Sequence, residues 1–297
     1  MMKIILFSRP QLTHTADELR RLLAQLGEHG FDYCVNGEFA ARISELTGIV
    51  IPPDKQYASI GDECADAAMM ICYGGDGTFL EGVRLLGLRP IPVLGVNSGR
   101  LGFLANVTKE GIGQALADIA AGRYAVEPRA LLEAEGDFPA RPDYPYAFNE
   151  FSIQRGGASM ISVDAYVDGE MIATYWGDGV ILSTPAGSTA YSLSVGGPIV
   201  APGCDCFVLS PIAPHNLTMR PVVVPNTSRL SFRVSTRGQR SSVTLDNLNF
   251  TVPDGASFSL AKARNSIFLV HLQNISFYET LRNKMMWGLD RRDETKA

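Results

Sequence analysis

No apolar run in this 297-residue chain reaches the roughly 20 residues that a helix needs to cross a bilayer. Lysine and arginine form no runs either. Their 26 residues face 31 acids, for a net charge of -5, which excludes a sequence-independent grip on nucleic acid through dense phosphate neutralisation. A small anionic ligand stays open, because backbone amides can hold one. Cysteine is sparse: Cys34, Cys64, Cys72, Cys204 and Cys206 are odd in number and contain no CxxC pair. That pattern is neither a zinc ribbon nor a redox motif, and the expectation is reduced thiols in a cytoplasmic protein with no membrane or nucleic-acid partner. No secretory leader is expected either. The opening MMKIILFSRP has one lysine and a short apolar stretch, and reads as a first buried strand. His215, in APHNL, has no nucleophile and orienting acid patterned with it, so it reads as a structural turn residue.

What is present is a change of character part-way along. The chain is long enough for two domains with real cores, and 46% of it is hydrophobic. Up to about Arg123, strands alternate with helices. Lys3–Ser8 reads as a strand, and Thr15–Leu26 as an amphipathic helix with Leu19, Leu22, Leu23 and Leu26 on one face. Ala68–Tyr73 and Ile91–Val96 read as buried strands, with a helix from Thr78 and another over Ile112–Ala121. Alternation of this kind predicts a parallel sheet covered by helices. Short β-rich runs follow, with VDGE at Asp168 and Gly169 as a hairpin turn, and predict a sandwich-like domain. The expected layout is an α/β domain over 1–123, a β-rich domain over 124–275, and a tail over 276–297. The tail's helix, Tyr278–Trp287, would pack back on the first domain.

The stretch MICYGGDGTFLEG, Met70–Gly82, carries the first chemistry. A buried strand ending in glycines and then a helix makes an anion cradle from backbone alone: glycine tolerates positive φ and close approach, and the helix start supplies unpaired N–H groups. Gly74, Gly75 and Gly77 fit that role, with Thr78 as a cap or phosphate partner. The pattern is neither a Walker A loop nor GxGxxG. Asp76 is out of place in a pure anion cradle. It makes sense if it binds a hydroxyl, accepts its proton, or reaches a phosphate-bound metal ion; the structural alternative is a cap on the following helix.

GGDGT resembles the signature shared by NAD kinases, diacylglycerol and sphingosine kinases and, more loosely, 6-phosphofructokinases. Four further segments are similar to the NAD kinase family in its order: GVNSGRLGFLA (Gly95–Ala105), NEFSIQRG (Asn149–Gly156), DGVILSTPAGSTAYSLSVGGPIVAP (Asp178–Pro202) and LSPIAPHNLTMRPVVVP (Leu209–Pro225). The resemblance runs from about Ala68 to Phe250. It implies transfer of the ATP γ-phosphoryl group to the adenosine-ribose 2′-hydroxyl of NAD, giving NADP, in a homodimer or homotetramer whose neighbouring subunit can complete the site.

By the same resemblance, Asp76 is the general base. Gly75, Gly77 and Thr78 hold the donor phosphates, with Mg²⁺ bridging them. The dinucleotide is contacted by Asp76, Gly77, Phe103, Asn149, Glu150, Asp178, Thr189, Ala190, Tyr191, Ser192, Leu193, Ser194 and Asp246. Two departures stand out. Trp176 occupies a position where many members carry a basic residue, which bears on the choice between NAD and NADH. LDNLN, Leu245–Asn249, replaces the usual Asp-Gly-Gln, so Asp246 fits and Asn247 does not. The rival readings are a lipid kinase of the same superfamily, which would lack STPAGSTAYSLS, and a non-catalytic NADP(H)-binding sensor, which need not keep the base.

Overall fold

The computed structural model describes residues 1–11, 14–61, 64, 66–99, 102–273 and 275–286. The chain forms two units: one of residues 1–128 together with the chain from Phe268 onward, the other Arg129–Ile267.

In the first unit, β1 (Lys3–Phe7), α1 (Ala16–Glu28), β2 (Asp32–Asn36), α2 (Gly37–Thr47) and β3 (Gln56–Tyr57) come first. Then come β4 (Met69–Tyr73), α3 (Asp76–Leu86), β5 (Val93–Asn97), β6 (Val107–Thr108) and α4 (Ile112–Ala120). The strands pair in the order β5-β4-β1-β2-β3 and run parallel, with Ile4 opposite Met69 and Met70 opposite Val93. Every residue of β4 and β5 is buried, as a sheet covered on both faces requires. Helix α1 starts where its sequence says it should: Thr15 accepts from the Glu18 N–H and Glu18 accepts from the Thr15 N–H, a reciprocal capping box. Leu19, Leu22 and Leu26 bury its inner face.

The chain moves from β1 outward through β2 and β3, then returns to the other side of β1 with β4. The ends of β1 and β4 therefore flank a topological switch point, the place where open α/β sheets bind ligands. Ser8–Arg9 and Gly74–Gly75 follow those two strand ends. The C-terminal helix α6 (Phe277–Met285) belongs to this same unit, as the sequence predicts; Trp287 lies outside the described residues.

The second unit is built of antiparallel strands. Strand β7 (Tyr124–Gly136) leads into it and pairs with β8 (Tyr146–Ala147). One sheet contains β10 (Ile161–Val167), β11 (Glu170–Gly177), β15 (Leu230–Ser235) and the first part of β18 (Ser257–Leu272). The other has six strands in the order β14-β13-β12-β9-β16-β17. These are β9 (Glu150–Arg155), β12 (Gly179–Ser183), β13 (Cys206–Ile212), β14 (Val222–Pro225), β16 (Ser241–Leu245) and β17 (Leu248–Val252). Phe151, Ile153, Val163, Val180, Phe207, Phe232 and Phe258 form part of one core. Strand β10 alternates buried Ile161, Val163 and Ala165 with half-exposed neighbours, the pattern of a sandwich face. The predicted hairpin turn is present, with Asp168 and Gly169 both at positive φ.

The first unit contains one close backbone approach beside the glycine turn. A Cβ at Gly95 of β5 would stand 2.4 Å from the Leu104 carbonyl oxygen and 2.7 Å from the Ala105 Cα. The loop after β5 thus folds back onto its own strand, against backbone that cannot give way. Gly95→Ala is expected to destabilise the protein by about 1–3 kcal/mol, read as a lower urea midpoint at unchanged slope.

Candidate active site

At the end of β4 the glycine turn is built differently from the expectation. Helix α3 begins at Asp76, two residues earlier than predicted, and Gly75 is its N-cap with φ -84° and ψ -174°. None of Gly74, Gly75 and Gly77 has positive φ, so their value is space, not a left-handed backbone. A Cβ on Gly75 would meet nothing within 4 Å; one on Gly77 would stand 3.1 Å from Nη1 of Arg9. Arg9, which no sequence motif marks, pairs its Nε with Glu81 at 2.5 Å and lays its guanidinium beside the turn. Thr78, expected as a cap or phosphate partner, belongs to the buried stripe of α3 with Phe79, Gly82, Val83 and Leu86, and its N–H bonds the Gly75 carbonyl.

Asp76 does not cap its own helix. Its half-buried carboxylate reaches across to the loop after β5 and accepts three successive backbone N–H groups. Oδ2 takes that of Phe103 at 3.0 Å, and Oδ1 takes those of Leu104 and Ala105 at 3.0 and 2.9 Å. Gly102 makes this possible: a Cβ there would lie 1.9 Å from Oδ1. The same carboxylate has a fourth neighbour. Lys284 of α6 holds its Nζ 3.6 Å from Oδ2 and 4.4 Å from the centre of the Phe103 ring, while Phe277 lies 6.3 Å from that ring, centre to centre. Neither α6 residue stands in a segment that the sequence motifs mark.

The second unit assembles most of the other predicted residues at one end of β9 and β12. Glu150 opens β9 opposite Ser183, the last residue of β12. The segment after β12 then folds over Asn149: the Thr184 N–H bonds the Asn149 carbonyl at 2.9 Å. Gly187 packs so close to that carbonyl that a Cβ would stand 2.0 Å from its oxygen. Thr189 and Ala190 lead into α5 (Tyr191–Ser194), a single turn in which Ser192 is buried and Tyr191 exposed. Tyr191 donates its backbone N–H to the Glu150 carboxylate. Asn149 Oδ1 and Glu150 Oε2 are buried with no hydrogen-bond partner among the described residues. Unmet hydrogen-bonding capacity thus falls on two consecutive residues of the expected site.

Asp246, which the family resemblance assigns to the dinucleotide, accepts three backbone N–H groups here: Oδ2 that of Phe148 at 2.8 Å, and Oδ1 those of Asn149 and Glu150 at 2.7 and 3.1 Å. It positions the Asn149-Glu150 pair. Asp246 itself takes φ +50° in the β16–β17 hairpin. Asn247 is not at positive φ, so the missing glycine of the family pattern costs this turn nothing.

Asp178 does not join the group. It precedes β12 at the far end, ion-paired with Arg155 at 2.6 Å, and five residues of extended β9 separate Arg155 from Glu150, about 17 Å. Trp176 is 44% exposed on β11, and its carbonyl accepts the His215 N–H.

The family models fit this arrangement. The ATP-NAD kinase N-terminal domain matches residues 4–124 and the C-terminal domain residues 148–272. The chain belongs to the ATP-NAD kinase family. It is 36% identical to an NAD kinase of Cytophaga hutchinsonii over 97% of this chain and 99% of that one. It is 37% identical to an NAD kinase of Bacteroides fragilis over 98% and 100%. The fold is similar to that of a yeast NADH kinase solved with NADH (TM-score 0.84, 23% identity, 98% of this chain and 89% of that one). It is also similar to an Archaeoglobus fulgidus NAD kinase solved with ATP (TM-score 0.75, 23% identity, 96% and 99%). Membership makes the chain a phosphotransferase acting on NAD, as the motifs implied, and sets aside the lipid-kinase and sensor readings. No helix among the described residues is long and apolar enough to cross a membrane.

The two acids of the second unit titrate unusually. Burial, then the nearby Asp246 charge, push Glu150 up to about 8, against the pull of the Tyr191 N–H. Burial raises Asp246 to about 6 against its three amide donors. Because Glu150 is harder to ionise folded than unfolded, the folded protein binds more protons between about pH 4.5 and 8, and stability falls as pH rises through that window. Glu150→Gln is expected to remove this slope. Urea midpoints from pH 5 to 8.5 should show the variant gaining on the wild type by on the order of 3–5 kcal/mol.

Proposed function

We propose that the chain moves the γ-phosphoryl group of ATP to the adenosine-ribose 2′-hydroxyl of NAD, with Asp76 accepting the proton. One observation carries this reading: a carboxylate at the first turn of α3, beside the sheet's switch point, is locked in place by three amides of the neighbouring loop. A 2′-hydroxyl docked on Oδ2 gives its proton to that carboxylate as its oxygen bonds the γ-phosphorus. The bond from phosphorus to the β–γ bridging oxygen breaks, and its electron pair leaves with ADP. Such transfer asks mainly for alignment and charge neutralisation. Gly75 and Gly77 give the donor phosphates access to the N–H groups of Asp76 and Gly77 at the start of α3.

Glu150 and Asn149 are assigned to NAD, whose hydroxyls and amide would satisfy their unpartnered oxygens. The short segment Thr189, Ala190, Tyr191, Ser192, Leu193 and Ser194 lies beside the same pair, with the exposed Tyr191 ring offered to a base. Phe103, whose N–H holds Asp76, supplies a second ring. Asp178, too far along the sheet for this group, is assigned to a neighbouring copy's site in a homodimer or homotetramer. The cysteines Cys34, Cys64, Cys72, Cys204 and Cys206, none of them in a disulfide, accord with the cytoplasm.

A lone carboxylate already holding three amides is a poor fit to a resident divalent ion, and no cluster of His, Cys, Asp or Glu among the described residues suits one. In this reading Mg²⁺ arrives on the phosphates of ATP as part of the substrate.

The purified protein with ATP, Mg²⁺ and NAD should form NADP, and product at background level would overturn the reading. Asp76→Asn should lose at least ~10²-fold in kcat while NAD still binds, whereas an unchanged kcat would leave Asp76 a purely structural clamp on the loop. Trp176→Arg should alter the ratio of kcat/KM for NAD to that for NADH; equal ratios in variant and wild type would remove Trp176 from the choice of acceptor.

A further inference from the structure

Among the described residues, Lys284 is the cation paired with the proposed base, and three features set it apart from a surface ion pair. Its ammonium is 3.6 Å from Asp76 Oδ2, beyond hydrogen-bond distance, and lies over the face of Phe103. Its three N–H donors make no hydrogen bond among the described residues, although the side chain is only 33% exposed. It is also delivered with care. Ser276 caps α6 by accepting the Glu279 N–H. Phe277, Leu281 and Lys284 then fall at helical positions i, i+4 and i+7 on one face, with Leu281 buried and Phe277 against Phe103.

The geometry at Asp76 gives this lysine something to do. A carboxylate has about four acceptor directions, and three are filled by rigid backbone. The remaining direction lies on Oδ2, the oxygen that Lys284 approaches on a flexible stem. An acceptor hydroxyl reaches Asp76 by displacing that ammonium. A hydroxyl oxygen about 2.7 Å from Oδ2, with phosphorus about 3–3.5 Å further on, puts the transferring group within about 6 Å of the carboxylate. That is within rotamer reach of an ammonium now 3.6 Å from it.

We propose that Lys284 is a catalytic residue of the phosphoryl transfer. Its ammonium holds Asp76 while the site is empty, yields that place to the acceptor hydroxyl, and then neutralises the charge on the equatorial oxygens of the γ-phosphoryl group. The proton still passes from the 2′-hydroxyl to Asp76, and the lysine keeps its own protons throughout. This rests on the reading of Asp76 as the proton acceptor, and extends it to a residue from the far end of the chain.

The test compares full-length wild type, Lys284→Met and Lys284→Arg in steady-state assays with MgATP and NAD, and measures NAD affinity without ATP by calorimetry. The expected result is a kcat lowered ~10²–10³-fold in the Met variant, the scale of losing one donor to transition-state charge. NAD affinity should stay within about threefold, and Arg should recover at least about tenfold of the lost rate. A Met variant within about threefold of wild-type kcat overturns the proposal. So does a loss matched by weaker NAD binding, or an Arg variant no better than Met, since either makes the lysine a packing or binding element. Should Lys284→Met fail to fold by circular dichroism, Lys284→Gln carries the same comparison. Wild type that forms no NADP sinks the parent reading and this one together; an active wild type with an indifferent Lys284→Met sinks the lysine alone.

Discussion

Three amide donations to one carboxylate set the constraint on which the first unit's site depends. Asp76 can make them only because Gly102 leaves room at Oδ1 and because Gly95 lets the loop settle on β5. Remove any of these and the loop carrying Phe103 loses its anchor. Charge-assisted hydrogen bonds of this kind are about twice as strong as neutral ones, and three from consecutive residues fix both position and direction. A carboxylate so held is oriented before substrate arrives. That suits a reaction whose catalysis is mostly alignment and electrostatics.

The second unit uses the same device for a different end. Asp246 likewise accepts three successive backbone N–H groups, those of Phe148, Asn149 and Glu150. Here the acid stays behind the site and what it holds is presented. Asn149 and Glu150 are left with unpartnered buried oxygens, and Glu150 is kept protonated to higher pH by burial and by the charge of Asp246 behind it. Both carboxylates therefore work as clamps, and the proposed function gives the first a reactive role as well.

How much of this is legible in sequence depends on how local each feature is. The amphipathic helix from Thr15, the Asp168-Gly169 hairpin and the buried runs of β4 and β5 are written within a few residues, and the sequence predicts them. The family motifs likewise mark Asp76, Asn149 and Glu150. Pairings at long separation are another matter. That Asp76 bonds the loop at 103–105, or that Asp246 bonds residues nearly a hundred positions earlier, depends on which strands lie side by side. So Thr78 reads as a phosphate partner in the motif, while the phase of α3 turns it inward. Asp246 reads as a ligand contact, while its oxygens face amides. Asp178 groups with Glu150 by motif, although the antiparallel register of β9 and β12 sets them at opposite ends. Lys284 carries no local signal at all; only the packing of α6 brings it to Asp76.

The central claim is that the acceptor hydroxyl docks on an Asp76 already fixed by backbone, taking the place of Lys284. A crystal structure of the chain with NAD tests this most directly. The account predicts the adenosine-ribose 2′-oxygen within hydrogen-bond distance of Asp76 Oδ2, the three amide bonds from Phe103, Leu104 and Ala105 intact, and the Lys284 ammonium moved off the carboxylate. A 2′-oxygen bound away from Asp76, with Lys284 still at its side, would contradict it.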